Sequence, residues 1–167
     1  MNCPYKLDQS SCNNAAAKRA SRRIGSFYDE ALAPCRIRAT QHALLQQIAR
    51  LGSPSMTELA LALVLDRSAL SHTIRPLERD SLIALEPHKQ DRRVKRIVLT
   101  EAGRAKLEEC APLWEKAQRR FEARFGRDES ATLRKTLDAL AALDFARRPE
   151  MSLVNGQNGQ KAALASA

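Results

Sequence analysis

Apolar residues recur every three or four positions along most of residues 13–146, a spacing typical of helices with one buried face. This pattern is divided into segments by polar or small residues that start helices and by three helix-breaking residues, Pro34, Gly52 and Gly126. Six helices are predicted, over about 13–32, 40–51, 57–63, 67–80, 101–125 and 128–146. Their expected N-caps are Asn13, Thr40, Thr57, either Asp66 or Ser68, Thr100 and Asp128.

The period changes between the fourth and fifth helices. Residues 82–85 and 94–99 are short apolar runs that predict two β-strands, and the charged segment 87–92 would form the hairpin tip between them. Residues 1–12 are expected to form a flexible arm. Residues 147–167 lack periodicity and are expected to be disordered.

The fourth helix has two chemically different sides. At about 100° per residue, Leu70, Ile74 and Leu77 fall on one side of this helix. The opposite side carries hydrogen-bond donors and positive charge, at Ser68, His72, Arg75 and Arg79. Such a helix suits a position between a hydrophobic core and a DNA major groove. Pro76 removes one backbone donor and is expected to bend the helix near His72.

Charge favours a polyanionic partner. The net charge is +9, and residues 88–96 contain five cationic side chains against a single acidic one, Asp91. The cations are Lys89, Arg92, Arg93, Lys95 and Arg96. No aromatic residue lies between Tyr28 and Trp114. Because proteins that bind single strands stack bases on aromatic rings, this absence favours duplex DNA.

Several function classes are disfavoured. No apolar run reaches the roughly 18 residues of a membrane span, and no signal core precedes residue 13, so a cytoplasmic protein is expected. The four cysteines lack zinc-site spacing. Three separated histidines, with no phosphate loop and no nucleophile motif, argue against an enzyme. No metal and no cofactor are expected.

The helices at 13–32, 101–125 and 128–146 have apolar faces too large for a small winged-helix core to cover. An exposed face of that size usually marks a partner, and two-fold homodimers are the commonest oligomers. The sequence therefore predicts a homodimer.

Five short segments in this order resemble the MarR family of bacterial transcription regulators. They are Thr57-Glu58-Leu59-Ala60, Arg67-Ser68-Ala69-Leu70-Ser71, Leu77-Glu78-Arg79-Asp80-Ser81-Leu82-Ile83, Asp91-Arg92-Arg93 and Leu99-Thr100-Glu101-Ala102-Gly103. The resemblance covers about residues 13–146 and implies a mainly α fold with a small β-hairpin wing. A winged helix-turn-helix would span 37–100, and dimerisation helices would span 13–36 and 101–146.

The resemblance also implies roles for individual residues. The recognition helix would be 67–80 and would enter the major groove, and the wing would be 83–99. Asp91 would pair with Arg93 and hold the wing loop, and Ser81 stands where the family commonly has glycine. The expected DNA-binding residues are Ser68, Ser71, His72, Arg75, Arg79, Lys89, Asp91, Arg92, Arg93 and Lys95.

The function implied is a repressor that binds a pseudo-palindromic operator and is released by a small aromatic or phenolic acid. The expected effector pocket contains Phe27, Tyr28, His42 and Trp114. Two alternatives stay open from the sequence. One is a thiol-based redox regulator of the same fold that uses Cys12, and the other is a winged-helix protein that compacts DNA without sequence preference.

Overall fold

The computed structural model describes residues 12–88, 91 and 93–145, and within them the protein is mainly helical with a two-stranded hairpin. The predictions for Lys89 and Arg92, for residues 1–11 and for the tail beyond 145 lie outside these residues. The elements in chain order are α1 (Asn13–Leu32), a 3₁₀ turn (Ala33–Cys35), α2 (Ala39–Leu51), α3 (Met56–Ala62), α4 (Arg67–Arg79), β1 (Ile83–Pro87), β2 (Lys95–Leu99), α5 (Glu101–Phe125) and α6 (Arg127–Ala141).

The hydrophobic core is formed mainly by α2, α3, α4 and the hairpin. Leu70 and Leu77 of α4 are 0% exposed and Ile74 is 3% exposed, as the helical spacing predicts. They belong to one buried cluster with residues of α2, α3 and both strands. Helix α4 continues through Pro76 to Arg79, so the same face stays buried on both sides of the proline.

The hairpin extends from the core as an antiparallel pair in which Ile83 is opposite Leu99 and Pro87 is opposite Lys95. Ile83 and Ile97 point into the core. The backbone of Ile97 donates a hydrogen bond to the carbonyl of Pro54 at 2.8 Å, which joins the hairpin to the segment before α3. The wing is therefore fixed at its base by both packing and backbone pairing.

The junction of α4, β1 and α5 explains two of the sequence motifs. Ser81 has φ 57°, and Leu82 donates a backbone hydrogen bond to Leu77 at 2.8 Å, which closes the helix end. The Thr100 hydroxyl donates to the carbonyl of Ser81 at 2.7 Å and caps α5 by accepting from Gly103. A Cβ at Gly103 would lie 2.0 Å from the Leu82 carbonyl oxygen, so only glycine allows this contact.

Two of the predicted N-caps are confirmed. The carboxylate of Asp66 accepts from the backbone of Ala69 at 2.7 Å, and Thr100 caps α5. The prediction that Thr57 caps α3 is wrong, because the N-cap is Ser55, two residues earlier, which forms a reciprocal capping box with Glu58.

The caps predicted at Asn13, Thr40 and Asp128 are also wrong, since all three residues lie inside their helices. The N-cap positions are Cys12, Arg38 and Gly126, none of which caps its helix by a side-chain hydrogen bond to the backbone. Helix α6 ends at Ala141, five residues before the predicted end. The starts of α1, α2 and α6 differ from the predicted positions by one or two residues, which is the usual uncertainty of a helix end.

Among the residues that the structure describes, no helix has the length and hydropathy required to cross a bilayer.

Replacement of Ser81 by glycine is expected to stabilise the protein. The left-handed backbone at Ser81 is unfavourable for a residue with a Cβ, by on the order of 1 kcal/mol. We expect Ser81→Gly to raise the free energy of unfolding in urea by about that amount. Ser81→Ala keeps the Cβ and is the matched control, for which little change is expected. Equal unfolding curves for the glycine and alanine variants would contradict the explanation.

Candidate nucleic-acid interface

A groove of about 540 Å³ separates α4 from the wing and brings together cationic side chains from both elements. From α4 it is lined by Arg67, Ser71 and Arg75, and from the wing by Arg93 and Lys95. Of the residues that the sequence indicates for DNA binding, the structure thus places Ser71, Arg75, Arg93 and Lys95 around one groove. The groove is positively charged and open to solvent.

The other α4 candidates lie outside the lining of this groove. Ser68, His72 and Arg79 are exposed on the outer face of the same helix. Arg79 is held by Asp80, with 3.1 Å between Nε and the carboxylate, so part of its charge is neutralised. Arg75 lies between the outer face and the groove. It belongs both to the polar face of α4 that the sequence predicts and to the residues that line the groove.

The wing tip is organised by Asp91 through the backbone. Its carboxylate accepts a hydrogen bond from the backbone amide of Arg93 at 3.0 Å, and its carbonyl accepts one from Val94 at 3.0 Å. The resemblance implies a pairing of Asp91 with Arg93, and the contact that the structure records is to the Arg93 amide. Arg93 and Lys95 are both exposed.

Arg96 differs from the other cations of the hairpin. Its guanidinium lies 2.6 Å from the carboxylate of Glu58 and is only partly exposed. That carboxylate also accepts from the Ser55 backbone, and these hydrogen bonds lower the pKa of Glu58 below its usual value. Arg96 therefore ties the wing to the start of α3.

Several residues that line the groove are absent from the DNA-binding residues predicted from the sequence. Arg67 and Thr57 line the groove beside Ser71, and so does Glu78. Arg67, Ser71 and Arg75 are spaced by four residues, so the helical period contains this signal. The sequence predicts Thr57 as a helix cap. Its place in the groove lining depends on how α3 packs against α4.

A second cavity of about 900 Å³ lies between α1, α2, α5 and α6 and is lined mainly by apolar side chains. Tyr28, His42 and Trp114 of the predicted effector pocket line it, and His42 and Trp114 also line a neighbouring cavity of about 400 Å³. Phe27 is not among the lining residues of either one. It packs edge-to-face against Tyr28, with 5.2 Å between ring centres, below the guanidinium of Arg120.

His42 is the one ionisable side chain among the buried residues of α2. It is 3% exposed, and its ring lies 6.5 Å from the ring of Trp114. Burial lowers the pKa of His42 below its usual value of 6.5, so the ring is neutral at pH 7. Burial raises the pKa of Tyr28, and its hydroxyl donates to the side-chain oxygen of Gln118.

A side chain of α1 caps α2. Asp29 accepts a hydrogen bond from the backbone amide of Ala39 at 2.7 Å and pairs with Arg38 at 3.3 Å. Because Arg38 does not cap the helix itself, Asp29 supplies the negative charge that a helix N-terminus favours. This contact joins α1 to the first turn of α2, beside the large cavity.

Cys12 occupies the N-cap position of α1 and is exposed. It lies at the helix start, as the sequence predicts. Its role as a redox sensor stays a prediction.

Comparisons with known proteins place this geometry in a family. The MarR family pattern matches residues 37–95, which contain α2, α3, α4 and β1 and end at the first residue of β2. The Mycobacterium tuberculosis transcriptional regulator MOSR, solved in complex with DNA, is 33% identical over 77% of this chain and 98% of its own, with a TM-score of 0.64. The chain belongs to the MarR family.

Other solved structures share the fold. The transcriptional repressor CouR, bound to a 23-mer DNA duplex, is 25% identical over 84% of this chain and 99% of its own, with a TM-score of 0.72. BpsR of Bordetella bronchiseptica, whose DNA binding is regulated by 6-hydroxynicotinic acid, is 22% identical over 85% and 100%, with a TM-score of 0.71. No curated protein matches this MarR-family chain significantly.

Proposed function

We propose that this MarR-family protein is a homodimeric repressor of transcription that binds duplex DNA with sequence preference. The observation that carries the proposal is the groove in which Arg67 and Arg75 of α4 face Arg93 and Lys95 of the wing. A helix and a hairpin that present charge on one side can contact a major groove and the adjacent phosphates together.

Sequence preference is expected from α4. Arg75 is exposed near the middle of the helix, and a guanidinium can form two hydrogen bonds with one guanine. Ser68, in the first turn of α4, suits a phosphate contact. Solved complexes of MOSR and CouR with DNA support the same role for this chain.

The dimer is proposed from uncovered apolar residues. Phe125, Leu137 and Leu140 are each close to half exposed in the protomer, and Leu143 is 57% exposed. Phe125 and Leu137 also line the large apolar cavity, together with Ile24 of α1. A second copy of the chain would cover this surface and would present two α4 helices to successive turns of the duplex.

The same cavity supports a small-molecule effector. It is large enough for an aromatic acid, and its apolar lining includes Trp114 and Tyr28. His42 would be the polar partner of the carboxylate. BpsR, which responds to 6-hydroxynicotinic acid, has the same fold and supports an aromatic acid as the ligand class.

Removal of the Arg75 guanidinium is expected to reduce DNA affinity and specificity. For a duplex that the wild-type protein selects from a randomised library, Arg75→Ala should weaken binding by about 10- to 100-fold in fluorescence anisotropy. Arg119→Ala is the matched control, since it removes the same charge from an exposed arginine of α5 that pairs with Glu115. Equal affinity of the wild-type protein for selected and random duplexes would instead support DNA compaction.

A charge in the apolar face of α6 is expected to separate the protomers. Leu137→Glu places a carboxylate on the surface that the second copy would bury, so light scattering should give the mass of one chain. Ala139→Glu adds the same charge on the opposite side of the helix and should leave the dimer intact. A single-chain mass for the unmodified protein would contradict the dimer.

Binding of an aromatic carboxylate is expected to strengthen as pH falls. In the free protein the His42 pKa lies below 6.5, and a bound carboxylate would raise it because it stabilises the protonated ring. Binding then takes up a proton, so affinity for 6-hydroxynicotinic acid or salicylic acid should rise by up to about tenfold per pH unit below neutrality. Calorimetry at pH 7.5 and 5.5 measures this. His42→Gln should remove the pH dependence, and an unchanged dependence would exclude His42.

A further inference from the structure

Two buried cysteines meet where the connection between α1 and α2 packs against α5. Cys35 ends the 3₁₀ turn and is 2% exposed, and Cys110 lies in the middle of α5 and is 0% exposed. They are 75 residues apart in sequence, so their proximity is a property of the fold. The function proposed above uses neither thiol.

The Cys35 side chain reaches the backbone of α5 beside Cys110. The Cys35 thiol donates to the carbonyl oxygen of Glu109 at 3.7 Å, on the residue that precedes Cys110. Burial, together with the neighbouring Cys35 thiol, raises the pKa of Cys110 to about 12. Cys110 is therefore a protonated thiol at neutral pH, and a buried thiol reacts slowly.

A polar cover separates the pair from solvent. The Lys106 ammonium donates to the Cys35 carbonyl at 3.2 Å and to the Glu109 carboxylate at 2.6 Å. The side chains of Lys106 and Glu109 are 26% and 49% exposed, so the cover itself is at the surface. Ala33, Pro34 and Arg36 around Cys35 are exposed as well.

We propose that Cys35 and Cys110 are a disulfide-forming modification site that responds to hydroperoxides. The site rests on the position of the Cys35 thiol, 3.7 Å from the carbonyl that precedes Cys110 and in the same buried cluster, beneath a thin cover. It differs from a sensor at Cys12. A single 3₁₀ turn with exposed neighbours opens locally at low cost, and this opening exposes the Cys35 sulfur without unfolding the core.

The oxidation of the two thiols to a disulfide takes two steps. The Cys35 thiolate attacks the O–O bond of a hydroperoxide, which becomes an alcohol, and Cys35 becomes a sulfenic acid. The Cys110 sulfur then attacks the Cys35 sulfur, and the sulfenic hydroxyl leaves as water with the proton of Cys110. In sum, two thiols and one hydroperoxide give one disulfide, one alcohol and one water.

The consequence for DNA binding rests on the proposed function. The Cys35–Cys110 bond would fix the connection that leads into α2, at the start of the DNA-binding lobe, to the long helix α5. The angle between the lobe and the proposed dimerisation helices would then be set by a covalent link. Since two recognition helices must fit a fixed spacing, a change in this angle alters DNA affinity.

The test uses the full-length protein with Cys3→Ser and Cys12→Ser, which leaves the buried pair as its only thiols. After cumene hydroperoxide treatment, peptide mapping should find the peptides of Cys35 and Cys110 linked within one chain. The melting temperature without reductant should rise by about 5 °C, and dithiothreitol should reverse the rise. Cys110→Ala in the same background should lose the link and the rise.

The outcomes separate the two proposals. If both cysteines are alkylated in full after unfolding of the treated protein, or the link joins two chains, the modification site is refuted. The melting curve in reductant shows whether the alanine variant folds, and Cys35→Ala provides a second variant. If the link forms and affinity for the selected duplex changes less than about twofold, the regulatory step is refuted. The Arg75→Ala result judges the DNA-binding function independently.

Discussion

Burial of Leu70, Ile74 and Leu77 determines which side of α4 faces solvent. These three side chains fill the core between α2, α3 and the hairpin, and each would cost roughly 1.5–3 kcal/mol to expose. The helix cannot turn about its axis without exposing all of them. Arg75 and the groove side of α4 are therefore directed outward by hydrophobic packing, and no polar contact is needed to orient them.

The wing is positioned by a second, polar set of contacts. Glu58 caps α3 and at the same time holds Arg96 of β2, so one carboxylate orients the helix-turn-helix and the hairpin together. On the other side of the hairpin, Thr100 and Gly103 close the junction with Ser81 and Leu82. Arg93 and Lys95 face α4 because both ends of the hairpin are held.

The period of the apolar residues was sufficient to predict six helices, the hairpin and the buried face of α4. Helix caps were predicted less well, because Asp29 caps α2 from another helix and such a partner leaves no local signal. The ion pair of Arg96 with Glu58 leaves no local signal for the same reason, since the two residues are 38 positions apart in sequence. Phe27 shares a helix with Tyr28, but its ring lies outside the cavity that Tyr28 lines.

Contacts around one short connection join the proposed dimerisation helices to the proposed DNA-binding lobe. Asp29 binds the first amide of α2, and Lys106 of α5 binds the carbonyl of Cys35, a few residues earlier. Each such hydrogen bond contributes on the order of 1 kcal/mol, and charged partners contribute more. Their sum is comparable to the 1–3 kcal/mol that typically couples two sites in an allosteric protein. The proposed ligand beside His42 and the proposed bond at Cys35 would therefore act where a modest free energy is sufficient to move α2.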